Sequence, residues 1–139
     1  MTADDEIERI AKSTKVIAIV GMSPRQDRPS WGVGRYLQSQ GFRIIPVNPG
    51  HAGETLLGET VYADLAAIPD DAGVEMVDIF RRSDAVGPIV DQALQVLPDL
   101  KVIWTQLGVH DDAAAERARA RGITVVQDRC PKIEFPRFL

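Results

Sequence analysis

Five short apolar runs punctuate the chain: VIAIV (16–20), IIPV (44–47), VEMVDIF (74–80), KVIWT (101–105) and ITVV (123–126). Most are rich in Val and Ile. They are too continuous for strands with one wet face, where apolar and polar residues alternate. Strands covered on both faces belong to parallel sheets, and each parallel pair needs a crossover between its members. The intervening segments supply helices for that purpose. Ser83 reads as an N-cap, and Val86, Ile89, Val90, Ala93, Leu94 and Leu97 after it fall on one helical stripe. An alanine-rich helix starts near Asp111 or Asp112 and stops at Gly122, and another covers about 30–40 and stops at Gly41. Residues 4–13 read as a helix ahead of the first strand, and a short helix is expected near 64–68 in an otherwise irregular link.

Strand alternating with helix implies βαβ units. The expected fold is α/β: a single doubly wound, Rossmann-like sheet of five parallel strands with helices on both faces. It forms one domain over 1–139, with an N-terminal helical segment in 1–15. A chain of 139 residues suits one such domain. The formal net charge of −4 argues against a nucleic acid or a membrane surface as partner. The single cysteine allows no intrachain disulfide, which fits a reducing compartment. The opening MTADDEIERIAKSTK lacks the basic start and apolar run of a signal peptide, and no apolar run approaches membrane-spanning length. These features point to a cytoplasmic protein.

Open α/β sheets bind ligands beyond the carboxyl ends of their strands, so the residues after each run are the candidates. After the first run come Gly21, Met22, Ser23, Pro24, Arg25, Gln26, Asp27 and Arg28. Gly21 permits a tight turn and a close approach of backbone to ligand. The N-terminus of the following helix favours a phosphate. Ser23 can add a hydroxyl donor, and Arg25 or Arg28 a charge. The dinucleotide pattern G-x-G-x-x-G is absent, with Ser23 standing where its second glycine would be.

After the second run, Val47, Asn48, Pro49, Gly50 and His51 read as a turn. An NAD site places Asp or Glu near here for the ribose 2′-hydroxyl, yet no acidic residue lies between Phe42 and Gly53. Asn48 and His51 can instead donate to a phosphorylated ribose. After the third run, Phe80 can pack on a purine, and Arg81 with Arg82 before Ser83 looks like an anion site. Arg82 also reads as a solvated surface charge. Asp78, inside that run, is expected to anchor neighbouring backbone donors. After the fourth run come Thr105, Gln106, Leu107, Gly108 and His110, and the amide of Gln106 suits an amide-bearing ligand arm. Trp104 reads as core. After the fifth, Cys130 stands between Arg129 and Lys132, either as a thiolate-prone cysteine or as an inert small hydrophobe.

With these residues in view, the chain resembles the CoA-binding-domain family of small bacterial proteins. Its members are relatives of the nucleotide-binding domain in the alpha subunit of succinyl-CoA synthetase. The matching stretches are GMSPRQDRPSWGVGRYL, RIIPVNPG, VDIFRR, VIWTQLGV and QDRCPKIE, spread over most of 16–134. The resemblance implies a Rossmann-like fold with CoA or acyl-CoA as ligand. It implies that Gly21, Ser23, Pro24, Arg25 and Gln26 form the phosphate-binding loop and that Thr105, Gln106 and Leu107 contact the ligand. His51 falls where the synthetase subunit has a ligand-contacting lysine. On this reading the Ser23 loop takes the pyrophosphate, the second edge lacks an acid because the ribose carries phosphate, and the fourth edge meets the arm. Met22, Arg28, Val47, Asn48, Pro49, Phe80, Arg81, Gly108 and Cys130 complete the expected contacts.

The synthetase subunit continues into a second domain that carries a phosphorylated histidine. The present sequence ends at Leu139, and its histidines, His51 and His110, both fall in loops at the ligand edge. No Ser-His-Asp order, metal-ligand cluster or P-loop stands out. The expectation is therefore a CoA or acyl-CoA binding protein that is not an enzyme by itself. One alternative is an NAD(P)-binding oxidoreductase, in which arginines could meet the 2′-phosphate of NADP. Another is a ligand-sensing subunit of a larger enzyme.

Overall fold

The computed structural model describes residues 2–139. The strands are β1 (Val16–Val20), β2 (Arg43–Val47), β3 (Thr55–Leu56), β4 (Glu59–Thr60), β5 (Met76–Ile79), β6 (Val102–Thr105) and β7 (Thr124–Val126). The helices are α1 (Ala3–Ser13), α2 (Pro29–Ser39), α3 (Ser83–Val96), α4 (Asp112–Ala120) and α5 (Pro131–Glu134). Five strands form one parallel sheet in the order β2-β1-β5-β6-β7. The chain leaves β1 toward β2 and returns on the other side at β5, so strand order reverses between β1 and β5. That makes the β1–β5 junction the place where loops diverge and leave a crevice.

Alternation along each strand sorts the apolar residues into two cores. Ala18, Val20, Val77, Ile79 and Ile103 face α3 and α4, against Val86, Val90 and Ala118. Ile17, Ile19, Met76 and Trp104 face the other way, against Ile7 of α1, Leu37 of α2 and Phe135 near the C-terminus. The continuous apolar runs are thus the signature of a Rossmann-like sheet buried on both sides. Pro46 is tolerated because β2 is an edge strand of the main sheet.

Helix ends follow local chemistry. Thr2 and Asp5 form a reciprocal capping box on α1, each side chain accepting from the other's backbone N–H at 3.1 Å. Asp111 caps α4 by accepting from Ala114 N–H at 3.0 Å. The expected segment 1–15 is helical over Ala3–Ser13, with Met1 outside the described residues. Ser83 differs from expectation. It is the first residue of α3 rather than its cap, and its hydroxyl accepts from His110 N–H at 3.1 Å. The link after β2 is more ordered than it reads: β3 and β4 pair as a hairpin about Leu57 and Gly58, both at positive φ. Among the described residues, no helix is long and apolar enough to cross a membrane.

Candidate ligand site at the carboxyl edge

Three adjoining hollows run along the carboxyl ends of the strands. One of about 320 Å³ lies between the loop after β1 and the start of α2, lined by Gly21, Ser23, Arg25, Arg28, Pro29, Ser30 and Phe80. A second of about 720 Å³ shares Pro29 and Phe80 with it and adds Arg81, Arg82, Ser83, Gln106, Leu107, Gly108 and Val109. A third of about 190 Å³ shares Arg81 and reaches Val20, Val47, Pro49, Leu65 and Ile89. Loops from four parts of the chain thus meet where the strand order reverses.

The loop after β1 is built from inside. Gly21 stands at φ +86, and a Cβ there would lie 2.4 Å from the Phe80 carbonyl oxygen. The close approach that requires glycine is therefore to the neighbouring strand end, not to a ligand. Met22 is fully buried and its side chain fills the space left by Gly34 of α2. That corrects its expected ligand contact for the side chain, whose role is to hold α2 against the loop. Ser23 N–H donates to the buried Ser30 hydroxyl at 2.9 Å, and Arg25 N–H donates to Ser23 Oγ at 3.1 Å. The Ser23 hydroxyl proton is left to donate outward. Arg25 pairs with Asp27 at 3.1 Å in the open, an exposed ion pair of small worth. Arg28 and Arg81 make no ion pair among the described residues, while exposed Arg82 stands 3.5 Å from Asp84. Gln26 is exposed and Pro24 half-buried in the same loop.

The edge after β2 is less free than its sequence suggests. Asn48 donates from Nδ2 to the Met22 carbonyl at 3.0 Å and accepts from Gly50 N–H at 2.9 Å, so its amide ties two loops together. His51 Nδ1 stands 2.9 Å from a Glu54 carboxylate oxygen, which the turn closed by Glu54 N–H on the His51 carbonyl at 3.1 Å brings back to this edge. An acid is therefore present beside the histidine, although none lies within the expected window. Val47 is buried, its carbonyl accepting from Gly21 N–H at 2.8 Å, and Pro49 is exposed.

After β6, Thr105 also turns inward. It is 1% exposed, donates to the Val109 carbonyl at 2.6 Å and accepts from Asp128 N–H at 3.1 Å. Gln106 and Leu107 face the larger hollow, and Gln106 Oε1 is buried with no partner among the described residues. Leu107 is 54% exposed. Gly108, at φ +78, donates its N–H to Asp128 Oδ1 at 2.6 Å. Cys130 is buried with Trp104, Val126 and Phe135, which is the small-hydrophobe reading of that residue.

Asp78 departs from expectation in the other direction. It is fully buried, in register with Ile19 and Trp104, and neither carboxylate oxygen has a hydrogen-bond partner among the described residues. Burial holds its carboxyl well above the usual carboxylate range. It anchors no backbone donor. Reading the sequence also misses Ser30, whose hydroxyl organises the Ser23 loop, and Asp128. Ser30 carries the weak signal of a hydroxyl inside the first turn of a helix. Asp128 carries none.

A Bacillus subtilis (strain 168) protein, YneT, is 35% identical to the chain over 128 residues, covering 92% of this chain and 90% of that protein. A solved Thermus thermophilus structure, cell-free ID.343, superposes with a TM-score of 0.91 at 32% identity, covering 99% of this chain and 100% of that one. A dinucleotide-forming acetyl-coenzyme A synthetase 1 of Ca. Korarchaeum cryptofilum, solved with phosphate and ADP, matches at a TM-score of 0.66. It covers 86% of this chain and 26% of that one at 23% identity, a likeness of fold alone. A family model described as a CoA binding domain matches residues 15–136, so nearly the whole chain is accounted for and it belongs to that family.

Proposed function

We propose that the protein binds CoA or acyl-CoA at the carboxyl edge of its sheet and performs no chemistry on it alone. The observation that carries the reading is the charge at that edge. Arg25, Arg28, Arg81 and Arg82 line the two larger hollows, and no carboxylate lines either, in a chain of net charge −4. Clustering cations against the overall balance focuses a positive potential where a polyanion would settle. CoA is such an anion at one end and a chain of amides at the other. The Ser23 loop at the start of α2 suits its pyrophosphate, with backbone N–H groups and the helix dipole adding to the arginines. Gln106 Oε1, buried without a partner beside the larger hollow, suits an amide N–H of the arm.

Calorimetric titration tests this. CoA is expected to bind at least about tenfold more tightly than dephospho-CoA, because a phosphate meeting a charged donor is worth more than a neutral hydrogen bond. Arg28→Ala and Arg81→Ala are each expected to weaken CoA by about tenfold, and the effect should shrink in high salt. Tighter binding of NAD or NADP than of CoA would replace the reading with the oxidoreductase one. Purified protein is expected to leave acyl-CoA thioesters intact, and steady hydrolysis would show the non-catalytic part of the proposal wrong.

A further inference from the structure

The segment after β6 is clamped by side chains from outside it. Gly108 N–H donates to Asp128 Oδ1 at 2.6 Å, and the Val109 carbonyl accepts from the Thr105 hydroxyl at 2.6 Å. His110 N–H donates to Ser83 Oγ at 3.1 Å, and Asp111 N–H to Gln127 Oε1 at 2.8 Å. Four consecutive residues, Gly108 to Asp111, thus have a backbone group fixed by a side chain. Leu107, just before the clamp, is exposed at the larger hollow.

Asp128 stands out among these clamps because it also bends its own backbone. It lies at φ 58, and the only other non-glycine at positive φ among the described residues is Leu57 (φ 52), in the tip of the β3–β4 hairpin. No hairpin explains Asp128. What its conformation achieves is a pair of hydrogen bonds across one strand end: its N–H donates to Thr105 Oγ1 at the end of β6 at 3.1 Å while its carboxylate accepts from Gly108 N–H in the loop that follows. Asp is among the few residues that tolerate this region, and backbone strain of this kind persists where surrounding contacts enforce it.

We propose that Asp128 is a positioning residue that fixes the Gln106–Gly108 turn as a preformed wall for the arm of the bound ligand. The proposal rests on the CoA reading of the edge. A wall already ordered spares the ligand the entropy of ordering it, so the clamp adds affinity only for ligands that reach it. Asp128 therefore sets a preference for ligands with an arm over ligands that are nucleotide alone.

The experiment compares CoA with adenosine 3′,5′-bisphosphate, its nucleotide end without the arm, by calorimetric titration of wild type and Asp128 variants. Asp128→Ala is expected to weaken CoA about tenfold and leave the bisphosphate within about twofold. Asp128→Gly, which is comfortable at positive φ but lacks the acceptor, is expected to behave like Asp128→Ala. Asp128→Asn, which keeps an acceptor oxygen and tolerates the backbone, is expected within about threefold of wild type. Amide exchange at Gly108, read without ligand, should quicken in Asp128→Ala and recover in Asp128→Asn. If wild type binds CoA but Asp128→Ala is unaffected, or loses both ligands equally, or is not rescued by Asp128→Asn, the positioning role is overturned alone. If wild type binds neither ligand, the CoA reading is overturned and the proposal falls with it, whatever the exchange at Gly108.

Discussion

Gly21→Ala is expected to destabilise the fold by about 3–5 kcal/mol, enough to unfold a large share of a marginally stable domain. Two costs add. At φ +86 any side chain is strained. The new Cβ would also press on the Phe80 carbonyl from 2.4 Å, in a residue that directly follows β5 and whose N–H is held by the Val20 carbonyl at 2.8 Å. Gly108→Ala isolates the first cost. Gly108 has a similar φ, +78, but nothing lies within 4 Å of its would-be Cβ. Its substitution is expected to cost about 1–2 kcal/mol. Urea denaturation of both variants reads the difference, and equal midpoints would mean that the β1–β5 contact is not what demands glycine.

Asp78→Val is expected to stabilise the protein, by about 1–3 kcal/mol from the unpartnered buried carboxyl alone and by more as pH rises above the ordinary carboxylate range. A buried carboxyl without a partner costs about 1–3 kcal/mol even when protonated, through lost hydration. Above the ordinary carboxylate range the unfolded chain releases its proton while the folded chain keeps it. The native state then binds more protons, so stability falls as pH rises, by about 1.4 kcal/mol for each pH unit until the raised folded value is passed. The titration penalty of Asp78 is thus absent below the unfolded carboxylate value and grows as pH climbs from there to the raised folded one. Asp78→Asn removes the titration and keeps the shape, so its advantage over wild type should grow steadily from pH 4 toward neutrality. A difference that stays flat over that range would mean that Asp78 is ionised in the fold and has a partner.

The strands are legible in the sequence because burial on both faces leaves few polar residues inside an apolar run, Asp78 being the charged exception. Helix bounds are legible where a cap or a glycine marks them, as at Asp111 and Gly41. The β3–β4 hairpin escapes because its turn, Leu57-Gly58, lacks the Asn-Gly or Asp-Gly signal. At the site, sequence position identifies which loops converge, since that follows from strand ends. It does not show which way a side chain faces once there. Asn48 and Thr105 carry suitable donors, yet neither keeps one for a ligand: Asn48 donates to the Met22 carbonyl 26 residues away, and Thr105 donates to the Val109 carbonyl while accepting from Asp128 N–H, 23 residues on. Ser83 reads as a cap from its local context, but its hydroxyl is taken by His110, 27 residues on.

The cross-bracing of these loops limits how the edge can be altered. Asn48 holds the loop after β1, Ser83 at the start of α3 and Asp128 hold the loop after β6, and each brace joins two separate segments of the edge. Grafting any one loop from a relative would strand a donor or acceptor on its neighbour, so the loops can be exchanged only as a set. Variation in ligand preference is cheapest at side chains that brace nothing, such as those of Gln26, Arg28 and Leu107, which project from a frame that need not change. A library built on those three positions would therefore explore binding while leaving the architecture of the edge intact, whereas one built on Asn48, Thr105 or Asp128 would mostly sample misassembled edges.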